Sequence, residues 1–193
     1  MTNANAISKD LIDYRLAFNL APVGLVLSHN RVMVDCNQRV CEMFGATPDQ
    51  LIGQSFQLLY PSADEYERAG ARIVPIMNAR GAYADDRIMK RLGGRFSGET
   101  FWCHVTGRAV VQTQPLGAGI WSFEDLSAKR PVKAELTPRE REVAAYMLNG
   151  LTSKQIGKAL AISHRTVEIY RARLMRKYKA HTTGDLVQRL MAG

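Results

Sequence analysis

The chain has 193 residues, 46% of them hydrophobic, with a formal net charge of +8. That apolar share supports a packed core and excludes a disordered chain, and the length suits one domain of ordinary size plus a small module. Residues 1–127 hold 12 Lys/Arg against 13 Asp/Glu while residues 128–193 hold 14 against 5, so a polyanion partner is expected of the last third alone.

Cysteine is scarce: Cys36, Cys41 and Cys103 show no C-x-x-C spacing and have no histidine near enough in sequence to complete a zinc knuckle. This pattern reads as a reduced, cytoplasmic chain without a metal site. The N-terminus lacks a basic n-region, and the apolar stretch over residues 16–28 is broken by Asn19 and Pro22, so neither a signal peptide nor a membrane partner is expected.

In chain order, Leu11, Ile12, Leu16, Ala17 and Leu20 mark a helix that Pro22 stops. VGLVLSH and RVMVDC read as two strands meeting at Asn30. In NQRVCEMFG, Val40, Met43 and Phe44 share a helical side and Gly45 ends it. Thr47 caps a second short helix, with Pro48 at its first position and Gly53 after it. Residues 62–79 form a longer helix, bent or restarted at Pro75. Three strands follow, YADDRIMKR, ETFWCHVTGRAVVQ and IWSFEDLS, with turns at Gly93-Gly94 and from Pro115 to Gly119. This order implies an α+β domain with an antiparallel sheet, rather than the alternating fold of a phosphorylated receiver.

Residues 128–135, interrupted by Pro131, read as a linker between a domain at 1–127 and a second at 136–193. In the second, Thr137, Pro138 and Glu140 open a helix whose inner stripe is Val143, Ala144, Met147 and Leu148, closed by Asn149-Gly150. Thr152 and Gln155 open another, with Ile156, Ala159 and Leu160 inward; Ser163 caps a third and Thr182 a fourth. Two short helices around a tight turn, the second strongly basic, make a helix-turn-helix within an all-α four-helix domain. On the third helix Val167, Tyr170, Leu174 and Tyr178 fall on one side, which leaves Arg165, Glu168, Ile169, Ala172 and Arg176 facing out.

The phrases VDCNQRVCEMFGATPDQLIGQSF, GRFSGETFWCHVTGRAV and the closing Glu124-Asp125-Leu126-Ser127 resemble a PAS domain across residues 9–127. LTPREREV, GLTSKQIGKAL, ISHRTVEIYRARLMRK and TTGDLVQRL resemble the LuxR/FixJ-type helix-turn-helix domain across residues 136–190. The second resemblance implies double-stranded DNA as partner, with Glu168, Ile169 and Ala172 at base edges and Ser163, Arg165, Thr166, Arg173 and Lys177 on phosphates. It also implies a homodimer joined through Leu186, Val187 and Leu190 of the fourth helix, and RNA polymerase as a further partner.

The first resemblance leaves two readings open: a cavity for an unidentified small molecule, or a domain that only dimerises or binds proteins. Strand alternation and the helical wall put Phe56, Ile73, Met77, Cys103, Val105, Trp121 and Phe123 around such a cavity. No cofactor is identified: the segment Ser55-Phe56-Gln57 lacks the reactive cysteine of the flavin-binding subclass, and residues 62–79 lack the histidine of the haem-binding one. Neither a P-loop nor G-x-S-x-G is present, and the chain reads as a transcriptional regulator, not an enzyme.

Overall fold

The computed structural model describes residues 13–94, 97–128 and 136–192. The first-helix positions Leu11 and Ile12, and linker residues 129–135, lie outside them. Among the described residues no helix is long and apolar enough to cross a membrane.

Five antiparallel strands form one sheet in the order β2-β1-β5-β4-β3: β1 Gly24–His29, β2 Val32–Cys36, β3 Ala82–Lys90, β4 Thr100–Ala109 and β5 Ala118–Asp125. Asn30 and Arg31 both take positive φ, 51° and 64°, the paired left-handed turn that suits the twist of a two-residue hairpin. Helix α1 (Tyr14–Asn19) precedes the sheet, and α2 (Gln38–Phe44), α3 (Pro48–Leu51), a 3-10 turn (Phe56–Leu59) and α4 (Ala63–Arg80) separate β2 from β3. Asn37 is fully buried and caps α2 by accepting from Val40 N at 3.2 Å. Its amide also donates to Phe18 O and Val23 O, both at 3.0 Å, so a single side chain ties α1, β1 and α2 together.

Pro75 neither ends nor restarts α4, which runs unbroken for 18 residues. Proline removes its own N–H from the ladder and crowds the carbonyl one turn earlier, a local cost set against the stripe that Tyr66, Ala69, Gly70, Ile73 and Met77 bury along the helix. That stripe joins the inward residues of the strands in one core, where Phe44 meets Phe101 and Phe123 edge-on at ring separations of 5.5 and 5.8 Å. Gly107 pairs with Trp121, and a Cβ on it would lie 2.3 Å from the indole. The glycine is what lets the ring lie flat across its strand.

The second domain packs α5 (Pro138–Leu148), α6 (Ser153–Leu160), α7 (His164–Lys177) and α8 (Thr183–Ala192) around Val143, Ile156, Val167, Leu174, Leu186 and Leu190. Ala159 does not face inward as the periodicity suggested; it is exposed, and Gly157 takes the inner place. A Cβ at 157 would sit 2.8 Å from Ile162 O, so the α6–α7 turn closes only over a bare backbone. Ala161 supplies the left-handed residue of that turn at φ 53°.

The two domains are not merely strung together. Ile88 and Trp102, on the outer face of β3 and β4, are 4% and 0% exposed and belong to the core of the second domain. Helix α5 is therefore covered on two sides, by its own domain and by the sheet edge.

Candidate nucleic-acid interface and ligand cavity

Helix α7 starts where Ser163 Oγ accepts from Thr166 N at 3.0 Å, the cap that leaves its first N–H groups pointing outward. Val167 and Leu174 are fully buried, and the positions between them turn to solvent: Glu168, Ile169, Ala172 and Arg173 are all exposed, as are Ser163, Arg165 and Arg176. Thr166 is half-buried and its hydroxyl lies 2.8 Å from that of Ser163. The three base-edge candidates thus share one open face, flanked by most of the phosphate candidates.

Lys177 departs from that arrangement, for its ammonium donates to Glu140 at 2.7 Å. Burial works against the Glu140 carboxylate, yet Lys177 and Thr137 outweigh it and hold its carboxyl below the usual range. Leu186 and Leu190 also depart, being 0% and 1% exposed inside the domain. A helix as short as α8 needs its apolar stripe for α5 and α7; Val187 is half-buried against the same core, and Met191 is exposed.

Glu168 is not loose on its face. Arg171 Nη1 donates to it at 2.9 Å and Ser153 Oγ donates to the same oxygen. Arg171 also reaches Ser153 at 2.6 Å and Thr183 at 2.6 Å, pinning α6, α7 and α8 behind the acid. The i, i+3 spacing of Glu168 and Arg171 is the sequence signal that could have found this support.

In the first domain a cavity of about 40 Å³ lies between the 3-10 turn, α4 and the sheet. Phe56, Ile73, Val105, Trp121 and Phe123 line it as expected. Met77 and Cys103 do not: both are fully buried, but Met77 sits a turn beyond Ile73 and Cys103 pairs with Asp125 at the far end of β4. Burial raises the Cys103 thiol well above its ordinary pKa. The adjacent His104 points to the outer face, where Nδ1 lies 2.6 Å from Asp86.

Sequence reasoning missed the polar part of the wall. Trp121 Nε1 donates to Ser28 Oγ at 2.9 Å, and Arg31 lies 3.6 Å over the Tyr66 ring at the mouth, where Gly70 leaves it room. Deeper, buried Arg87 donates through Nε to Asp85 at 2.6 Å and through Nη1 to Tyr60 OH, while Tyr83 OH donates to Asp85 at 2.6 Å. Burial pushes both tyrosine hydroxyls up, so both stay protonated and uncharged. The cavity is apolar with one hydrogen-bonding end, and it exceeds the roughly 15 Å³ that a single water needs.

The PAS-domain family model matches residues 22–128, and that of bacterial regulatory proteins of the luxR family matches residues 134–190. The chain belongs to the PAS family and carries a LuxR-type helix-turn-helix domain.

The PAS portion is 61% identical to the PAS domain, crystallised with ethanol, of a LuxR-family transcriptional regulator from Burkholderia thailandensis; the match has TM-score 0.57 and covers 60% of this chain and 99% of that one. VqmA of Vibrio cholerae, 21% identical with TM-score 0.54 over 89% of this chain and 83% of its own, shares the fold. The transcriptional regulatory protein FixJ of Bradyrhizobium diazoefficiens is 36% identical over 83 residues, 43% of this chain and 39% of its own length. The chain spans less than half the length of the curated relatives it matches.

Proposed function

We propose that the protein is a transcriptional regulator in which a PAS unit at 1–127, joined by the linker 128–135, controls a DNA-reading unit at 136–193. The observation that carries this is the face of α7, where Glu168, Ile169 and Ala172 lie open beside Arg165 and Arg173 while Val167 and Leu174 are buried. In this reading Glu168 accepts from a cytosine amine, Ile169 and Ala172 pack on thymine methyls, and Ser163, Arg165, Thr166 and Arg173 hold phosphates. Two copies, meeting through the outer side of α8 and through the PAS units, read a paired site and present RNA polymerase with a fixed surface.

The cavity suits a small neutral molecule of a few heavy atoms that offers oxygen to its polar end, and the ethanol held by the Burkholderia thailandensis domain is of that size. A PAS unit that only dimerises has no need of this space.

The test is fluorescence anisotropy on a duplex panel at several salt concentrations. Arg173→Ala should weaken every duplex alike and reduce the slope of log K against log salt by about 0.9, the share of one phosphate left without its guanidinium. Binding that does not fall with salt contradicts the proposal.

A further inference from the structure

The wall of the cavity has a second side. Tyr60 and Arg87 line the cavity and also line a cleft between α4, β3 and α5, where the two domains meet. Across that cleft Glu142 of α5, 6% exposed, takes Arg68 Nε at 3.0 Å and Arg72 Nη1 at 3.1 Å from α4. One turn along α4, Glu65 receives Arg141, with Nε 3.0 Å from Oε2. These side chains are 8% and 12% exposed. Arg72 also lies over the Tyr146 ring at 5.6 Å.

Five charged groups largely withdrawn from water in this way contribute little net stability, because desolvation offsets their attraction, but they fix one geometry and penalise any other. Trp102 and Ile88 add apolar area to the same junction. Because the net stability of such a junction is small, anything that interacts differently with a docked and an open arrangement can bias the choice between them.

We infer that the α4–α5 ion pairs are a latch holding the helix-turn-helix domain on the PAS sheet, and that the shared Tyr60–Arg87 wall links cavity occupancy to that latch. The link rests on the reading of the cavity as a ligand site; the latch does not. A molecule that takes a hydrogen bond from Tyr60 or Arg87 inside the cavity changes how Arg87 and Asp85 present themselves to Arg72 and α5 outside. The domains then rest at a different docked fraction, and with them the spacing of two reading helices.

The chain has two tryptophans, one at each end of this path: Trp121 in the cavity and Trp102 in the junction. Incorporation of 5-fluorotryptophan gives two fluorine resonances, assigned with Trp102→Phe. Arg141→Glu should move the Trp102 resonance to its solvent-exposed position and leave Trp121 in place. Glu65→Arg combined with Arg141→Glu should restore it. An unmoved Trp102 in the single variant, or no restoration in the pair, overturns the latch.

For the link, ethanol is titrated into the wild-type protein. Movement of Trp121 reports binding, and accompanying movement of Trp102 supports the link. Movement of Trp121 alone overturns the link, whereas no movement of Trp121 overturns the ligand reading on which the link rests. In Arg141→Glu, whose latch is broken while the cavity lining is untouched, ethanol should still move Trp121 but no longer move Trp102; a Trp102 response of wild-type size overturns the link.

Discussion

Replacing Glu168 by Ala separates two quantities that a basic helix would otherwise move together. In the free protein the acid makes one ion pair, with side chains 53% and 22% exposed, and accepts from Ser153 Oγ, and Arg171 keeps its bonds to Ser153 and Thr183 without it. Such pairs contribute roughly 0.2–1 kcal/mol, so the variant should melt within a few degrees of wild type. On DNA the acid does two opposing things. It repels phosphates, so its removal should raise affinity for random duplex. It also selects a base, a contact that discriminates by about 1–3 kcal/mol, or roughly 5- to 150-fold, so its removal should flatten preference at one position of each half-site. Anisotropy titrations of wild type and Glu168→Ala against single-base replacements of a bound site, with a scrambled duplex alongside, measure both. Equal loss on every duplex, or an unchanged preference profile, would refute base reading by Glu168.

Lys177→Ala should destabilise the second domain by roughly 2 kcal/mol, between an exposed and a buried ion pair, because it leaves the Glu140 carboxylate, 3% exposed, without its ammonium. The carboxyl titrates below its unfolded value, so this stabilisation is complete above that unfolded value and disappears as pH falls through the depressed one; urea melts should show wild type and variant converging in acid. Asn37→Ala loses a cap and leaves Phe18 O and Val23 O without their donor, a cost of about 2–4 kcal/mol that thermal melting of the PAS domain would reveal. In Gly107→Ala the new methyl meets the Trp121 ring, and the overpacking should cost about 1–3 kcal/mol and change the tryptophan emission. A neutral effect in any of these would contradict the role given to that side chain.

The elements with a local chemical signature were readable from sequence. Capping boxes at Thr137 and Thr152 and the cap at Ser163 begin helices where expected, since each is satisfied within four residues. The apolar cavity lining followed from strand alternation for Val105, Trp121 and Phe123. What escaped were inward charges: Asp85 and Arg87 look like a solvent face in YADDRIMKR, and they can sit inside only because they neutralise each other under Tyr60 and Tyr83. Leu186 and Leu190 fit a dimer stripe and a core stripe equally well in sequence; only the placement of α5 and α7 decides between them. The junction escaped too, because a linker read as a spacer says nothing of what its ends rest against.

The covered Trp102 bears on how such proteins can be recombined. Domain exchange is often pictured as exchanging beads on a string, with the linker as the only joint. Here the helix-turn-helix domain completes the shielding of a neighbouring sheet, since Ile88 of β3 and Trp102 of β4 lie side by side on the outer face, under α5. A chimera that gives this PAS domain a foreign reader would inherit a bare indole, and Glu65, Arg68 and Arg72 of α4 would lose their partners on α5. Grafting Glu142, Arg141 and Tyr146 with the new reader is the smallest set of changes that would cover them.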